Sequence, residues 1–158
     1  MEIDNLKEIK KKIGAALKKV YEEKPSLIEK YDICERSLMH RFAFYLQQEF
    51  KDYWVDCEFN KQVYEGKVSS KIINNRKRFV DIIVTKRGTG FGDFLCFELK
   101  KNGAKRKDIE EDRKKLKELT SCLPRSFQYE YGFLIFFNKH FENIKFEIYE
   151  KGELIENA

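Results

Sequence analysis

Three charged side chains stand inside two apolar segments of the chain, at positions where a β-strand ordinarily carries hydrophobic residues. Residues 79–84 read Phe-Val-Asp-Ile-Ile-Val, and residues 94–100 read Phe-Leu-Cys-Phe-Glu-Leu-Lys. A charge inside such a strand is costly unless it is paired or binds a metal. Because side chains alternate along a strand, Glu98 and Lys100 share one face, and Asp81 shares its face with the apolar residues two positions away. If the strands are neighbours, the three groups converge, which predicts a magnesium site with a basic group beside it.

This set of residues suits phosphate ester hydrolysis. Asp81 and Glu98 would supply the hard oxygen ligands that Mg²⁺ prefers, and Mg²⁺ keeps several waters when it binds. The metal would polarise a phosphoryl oxygen and lower the pKa of a bound water. Lys100 would orient or deprotonate that water and stabilise the transition state. The Glu-x-Lys spacing has little weight by itself, since an acid stands two residues before a Lys six times in the chain. Only the Glu98 case lies in a strand-like segment.

A further carboxylate, Glu35, lies on the apolar side of a helix predicted at residues 32–50. The apolar stripe of this helix is formed by Leu38, Phe42, Tyr45, Leu46 and Phe50. A carboxylate aimed at the core has two interpretations, which are not exclusive. In one, Asp32 caps the helix and Glu35 reaches back to it, as in a capping box. In the other, Glu35 reaches the same metal as Asp81 and Glu98.

Hydrophobic periodicity predicts five further elements. These are amphipathic helices at 2–22 and 105–122, and strands at 52–59, 131–137 and 144–148. The 131–137 segment is a near-continuous apolar run, which is typical of a strand buried on both faces. A helix that connects the Glu98 strand to this buried strand implies parallel pairing between them. The predicted fold class is therefore α/β with a mixed sheet, in the order ααβββαββ.

Length and composition indicate one globular domain. The 158 residues are expected to form a single domain at 1–158, with the helix at 2–22 packed on a core at 32–150. The 42% of apolar residues excludes wholesale disorder. No apolar run approaches the roughly 20 residues of a membrane span, and the chain is charged from residue 2, which predicts no signal peptide. Four scattered cysteines without a Cys-x-x-Cys pair predict reduced core thiols in a cytoplasmic protein, and no zinc site.

The positive charge of the chain is concentrated between residues 60 and 78. This segment holds six Lys and Arg residues against one acid, and the whole chain has a formal net charge of +5. One interpretation is a solvated hairpin extension. The other is a surface that contacts the phosphate backbone of a nucleic acid. Its candidate contact residues are Lys71, Arg76, Lys77 and Arg78.

The pattern as a whole resembles the PD-(D/E)xK nuclease superfamily, which includes restriction endonucleases, Holliday-junction resolvases and RecB-type nucleases. The resemblance is carried by Asp81, by Glu98-Leu99-Lys100 one strand later, and by a Glu-bearing helix before these strands. Asp112-x-x-Lys115-Leu116 on the following helix also looks like a feature of some members. The chain departs from the pattern at Val80, where the name-giving Pro would stand.

The resemblance implies a restriction-endonuclease-like core in which Asp81 and Glu98 bind Mg²⁺, with Mn²⁺ as a substitute. It also implies that Lys100 serves the attacking water and that Glu35 supports the metal directly or through water. The expected function is a Mg²⁺-dependent endonuclease acting on DNA, and paired active sites that cut both strands would make it a homodimer. The alternative is a nuclease-like fold used as a nucleic-acid-binding or regulatory module with little turnover. A third interpretation is a purely structural, buried ion-paired network.

Overall fold

The computed structural model describes residues 5–59, 79–86, 94–122 and 129–158, together with the backbone of residue 93 and of short strands between 61 and 77. The helices are α1 (Leu6–Glu22), α2 (Glu35–Glu49) and α3 (Arg106–Thr120). The long strands are β1 (Trp54–Phe59), β6 (Val80–Thr85), β7 (Asp93–Lys101), β8 (Tyr131–Phe137), β9 (Lys145–Glu150) and β10 (Glu153–Asn157). Four short strands lie between β1 and β6, namely β2 (Lys61–Tyr64), β3 (Lys67–Ser70), β4 (Ile72–Ile73) and β5 (Arg76–Lys77). A 3-10 turn at Phe141–Asn143 precedes β9.

The long strands form one six-stranded sheet in the order β1-β6-β7-β8-β9-β10. The pairing of β7 with β8 is parallel, and the other neighbours in the sheet are antiparallel. Helix α3 connects the two parallel strands, as the apolar run at 131–137 and the preceding helix predicted. The class is therefore α/β with a mixed sheet flanked by helices.

Two apolar cores fill the two faces of this sheet. On one face, α1 and α2 pack against strand residues such as Ile82, Phe97 and Leu99. On the other face, α3 packs against residues such as Ile83 and Cys96. Alternate residues of β6 and β7 therefore belong to different cores, because successive side chains point to opposite faces of a sheet. This alternation decides which helix covers the charged residues of the two strands.

The predicted element order is wrong in two places. Two small hairpins, β2–β3 and β4–β5, lie between β1 and β6 and are absent from the predicted order, although a hairpin extension was one interpretation of the 60–78 segment. A tenth strand, β10, follows the turn at Lys151 and Gly152. This strand is at the edge of the sheet and is mostly exposed. An edge strand of this kind needs no buried face, so its sequence shows little of the alternation on which the prediction relied.

The four cysteines differ in their exposure to solvent. All four cysteines are free thiols, and Cys96 is buried as predicted. The prediction of a core position is wrong for Cys34 and Cys122, which are exposed, and Cys57 is half-buried. Cys34 lies at the end of a loop and Cys122 lies just beyond α3, where the chain has left the core.

None of the helices in the described part of the chain has the length and apolar character needed to cross a bilayer.

Candidate functional site

Asp81 and Glu98 lie opposite each other on neighbouring strands. The antiparallel register pairs Ile82 with Phe97 and Ile83 with Cys96, and its continuation places Asp81 opposite Glu98. The backbone N–H of Leu99 donates a hydrogen bond of 2.8 Å to Asp81 Oδ2, which ties the two strands together at this position. Both carboxylates belong to the sheet face that α3 covers. The predicted convergence of these two residues is therefore present in the structure.

A lysine from α3 neutralises Glu98. The Glu98 side chain is only 1% exposed, and its Oε1 atom lies 2.8 Å from the Nζ atom of Lys115. Lys115 also donates to the backbone carbonyl of Phe79, at 3.3 Å. An ionised carboxylate at this depth requires a partner, because burying an unpaired charge is very costly. Lys115 supplies that partner from the helix that crosses over the strand.

Lys100 shares the face of Glu98 but pairs with another carboxylate. Its Nζ atom lies 2.7 Å from Asp112 Oδ2 on α3. Lys115 Nζ lies 3.5 Å from the other oxygen of the same carboxylate, Asp112 Oδ1. Glu98, Lys115, Asp112 and Lys100 therefore form a continuous chain of alternating charges between β7 and α3. Asp112 is itself buried.

Burial and neighbouring charges decide the protonation of the site. Burial raises the pKa of Glu98 well above its usual range, the charge of Asp81 acts in the same direction, and Lys115 opposes both. Burial also raises the pKa of Asp81, against the hydrogen bond from Leu99. For Lys100 and Lys115 burial alone would lower the pKa, but the surrounding carboxylates outweigh it and leave the pKa of both raised. Both lysines are therefore cations at neutral pH, which suits Lys100 to orienting water and stabilising negative charge rather than to accepting a proton.

Glu35 is the first residue of α2 and reaches the far end of β7. Its Oε2 atom accepts a hydrogen bond of 2.9 Å from the backbone N–H of Lys101. The capping box predicted with Asp32 is wrong, since Cys34 is the N-cap residue and no side chain caps the helix. Asp32 instead pairs with Lys101 Nζ at 2.6 Å and has a φ of 45°, in the left-handed region. Local spacing suggested a cap, but both carboxylates are bound by β7, which is distant in sequence.

An open cleft of about 500 Å³ joins Glu35 to the strand residues. Its lining consists of Cys34, Glu35, Arg36, Met39, Glu58, Asp81 and Lys100. Three of the four predicted site residues therefore meet at one cleft, while Glu98 lies buried behind it. The structure thus brings α2, β1, β6 and β7 to a common cleft.

Glu58 is a cleft carboxylate that sequence analysis missed. The positions on either side of it in β1 pair regularly with β6, and Glu58 itself faces Asp81 across the register. Its φ of 50° lies in the left-handed region, where a residue with a side chain is uncommon. The Glu58 carboxylate lies 3.2 Å from the guanidinium of Arg36. The pairing of β1 with β6 thus accounts for the place of Glu58 beside Asp81 in the cleft lining.

Two facing carboxylates, Asp81 and Glu98, could hold a metal ion. In the described part of the chain, no three His, Cys, Asp or Glu side chains lie close enough together to hold a metal ion. The predicted trio of Asp81, Glu98 and Glu35 is therefore not assembled as a set of direct ligands. Mg²⁺ is commonly bound through one or two carboxylates and retains several waters. Asp81 and Glu98 supply two facing carboxylates, and Glu35 lines the same cleft as Asp81.

The structure describes the candidate nucleic-acid contact residues of segment 60–78 only in part. Arg76 and Lys77 form the short strand β5, of which only the backbone is described. Lys71 and Arg78 lie outside the described residues. The prediction of a nucleic-acid contact surface at 60–78 therefore stays a prediction.

Comparisons with known proteins add little to this geometry. Neither a family model nor a curated protein matches the chain. Among solved structures, the crystal structure of SSO0001 is similar over 88% of this chain, with 14% sequence identity and a TM-score of 0.42. The chain spans 66% of the length of that protein.

Proposed function

We propose that this chain is a Mg²⁺-dependent nuclease that hydrolyses phosphodiester bonds in DNA, built on a restriction-endonuclease-like core. The observation that carries the proposal is the facing pair of Asp81 and Glu98, set among buried lysines beside an open cleft. The order α2, β1, β6, β7, α3 and β8, with β7 parallel to β8, supports the same reading. It matches the element order on which the resemblance to PD-(D/E)xK nucleases rests.

Each residue of the site has a separate role in this proposal. Asp81 and Glu98 hold the metal, and the metal, when bound, supplies charge neutralisation at the phosphoryl group and a more acidic water. Lys100 lines the cleft as a cation, so it orients the attacking water and stabilises the negative charge that develops on the phosphate. Glu35 acts from the opposite side of the cleft, where its charge contributes to the raised pKa of Lys100.

A purely structural network is the weaker explanation of these charges. A buried ion pair often contributes little net stability compared with apolar residues of similar volume. The chain nevertheless places four charged groups in one continuous row between β7 and α3. Asp81 and Lys100 also line an open cleft. Charged side chains with a purely structural role would gain nothing from this access to solvent. These features favour chemistry at the cleft.

A cleavage assay tests the proposal. Supercoiled, linear and branched DNA are incubated with the protein with Mg²⁺, with Mn²⁺ and with a chelator. Cleavage is expected only with metal, and Asp81→Asn is expected to lower the rate about a thousandfold, since it removes the ligand charge but keeps an acceptor for Leu99. The control is Asp52→Asn, which makes the same change at an exposed position.

Two results would count against a nuclease. If no DNA is cut under any condition but the protein binds DNA, with Lys100→Ala binding as the wild type does, the alternative of a nucleic-acid-binding module is correct. If Asp81→Asn cuts DNA at the wild-type rate, the metal does not use this carboxylate. Either result leaves the fold as described and removes the catalytic assignment.

A further inference from the structure

Glu98, which is proposed to hold a divalent cation, already has a cation on it. Lys115 Nζ lies 2.8 Å from Glu98 Oε1, and the two side chains are 14% and 1% exposed. The pair is almost enclosed, so water contributes little to neutralising the carboxylate. In the protein without metal, the ammonium group therefore serves as the counter-ion of Glu98.

A metal ion bound to Glu98 would bring a second cation close to the ammonium group of Lys115. Mg²⁺ binds an oxygen ligand at about 2.0 to 2.1 Å, which is closer than the ammonium group approaches Glu98. The repulsion between two positive charges a few ångströms apart is strong where water is excluded. This repulsion lowers the affinity for the metal unless Lys115 moves away from Glu98.

Asp112 offers Lys115 a second place. Its Oδ1 atom lies 3.5 Å from Lys115 Nζ, so a shift of less than about 1 Å makes an ordinary ion pair. The two residues are three positions apart on α3, where side chains are neighbours on the helix surface. The other oxygen, Asp112 Oδ2, holds Lys100 at 2.7 Å. One carboxylate with two oxygens can thus accommodate both lysines.

From this arrangement, and on the basis of the proposed metal site, we infer that Lys115 exchanges with the metal. Lys115 rests on Glu98 when the site is empty of metal and moves to Asp112 when a divalent cation enters between Asp81 and Glu98. Asp112 is then the positioning residue that makes the exchange possible. Lys115 lowers the affinity for metal, and Asp112 raises it.

Direct binding of Mn²⁺, measured by calorimetry or by the paramagnetic resonance of free Mn²⁺, tests the exchange without any DNA. Lys115→Met removes the competing cation and keeps the length of the side chain, so it is expected to bind Mn²⁺ at least tenfold more tightly. Asp112→Asn removes the alternative partner and is expected to bind at least tenfold more weakly. Lys114→Met, at the neighbouring exposed position of α3, is expected to match the wild type within about twofold.

The outcomes separate the exchange from the proposed function. If the wild type binds Mn²⁺ but Lys115→Met binds equally or less tightly, the exchange is wrong and the metal site stands. If neither the wild type nor Lys115→Met binds Mn²⁺, both the metal site and the exchange are wrong. Should Lys115→Met fail to fold, Asp112→Asn decides, because unchanged or tighter binding by that variant contradicts a role for Asp112.

Discussion

Replacing Glu35 by glutamine or by alanine separates a structural role of this carboxylate from a chemical one. Glu35 accepts a hydrogen bond from the backbone N–H of Lys101 and also lines the cleft with Asp81 and Lys100. Glutamine keeps an oxygen that can accept the same hydrogen bond but has no charge. Alanine removes both the acceptor and the charge. The two variants therefore differ mainly in whether β7 remains tied to α2.

The structure sets the expected size of each effect on stability. A hydrogen bond to a charged acceptor contributes about 1.5 to 3 kcal/mol, and an acid in the first turn of a helix adds about 0.3 to 1 kcal/mol. Glu35→Ala is therefore expected to lower the free energy of unfolding by about 2 to 4 kcal/mol. For a chain of this length that is a fall in Tm of about 5 to 15 °C. Glu35→Gln keeps the acceptor, so its cost is about 1 kcal/mol, or roughly 2 to 4 °C in Tm.

Activity is expected to respond differently from stability. Replacing a group that supports a metal or its bound water without being a direct ligand typically lowers activity or metal affinity about 10- to 100-fold. Glu35→Gln is therefore expected to lose about 10- to 100-fold in DNA cleavage with Mg²⁺ at 20 °C, where all variants remain folded. Glu111→Gln makes the same change at an exposed position of α3 and is the control.

Two results would refute this reasoning about Glu35. Wild-type cleavage by Glu35→Gln would limit the residue to tying α2 to β7. An unchanged Tm in Glu35→Ala would show that the contact with Lys101 contributes nothing to stability. Thermal unfolding by circular dichroism and a gel-based cleavage assay give both readouts on the same preparations.

Two further predictions concern the way α3 is held over the sheet. Gly132→Ala would place a Cβ atom 3.1 Å from side-chain carbons of α3. We expect this overpacking to lower the free energy of unfolding by about 1 to 3 kcal/mol, measured by chemical denaturation. An unchanged denaturation midpoint would contradict close packing at this position. Arg113→Met breaks the ion pair with Glu147, whose side chain is 4% exposed. Because the side chain of Arg113 is 35% exposed, we expect the free energy of unfolding to fall by only about 2 to 3 kcal/mol. Burial opposes a low pKa for Glu147, but hydrogen bonds from Arg113 outweigh it and lower that pKa. The ion pair therefore stabilises the wild type fully at a pH above about 4.3, the pKa of a Glu side chain in the unfolded chain. Its contribution is lost as the pH falls through the lower pKa that Glu147 has in the folded state. The Tm difference between wild type and Arg113→Met should accordingly shrink in acid, and a constant difference would contradict the assignment.

Several features of this site could be read from the chain because they depend on local periodicity. Alternation along β6 and β7 placed Asp81 and Glu98 on one face, and the antiparallel register brings them opposite each other. The continuous apolar run of β8 indicated a central strand with a crossover from β7, and the pairing is parallel as expected. Periods of two and of 3.6 residues are properties of the backbone, so they hold wherever the segment packs.

Other features failed because they depend on what a side chain meets from another part of the chain. Asp32 and Glu35 had the spacing of a cap, but Lys101 binds both of them. Glu58 was not predicted as a site residue, and it lines the cleft because β1 pairs with β6, which places it opposite Asp81. Short-range patterns carry no information on such long-range partners.

The sequence by itself determined that an acid on each of two adjacent strands would share a buried face with a lysine. Only the tertiary structure decided how the charges pair, with Lys115 on Glu98 and Lys100 on Asp112. The physical reason is that alternation fixes the direction of a side chain within its own strand. The choice between two lysines is made by where α3 crosses that strand, which places Lys115 nearer to the buried carboxylate and Asp112 between the two cations.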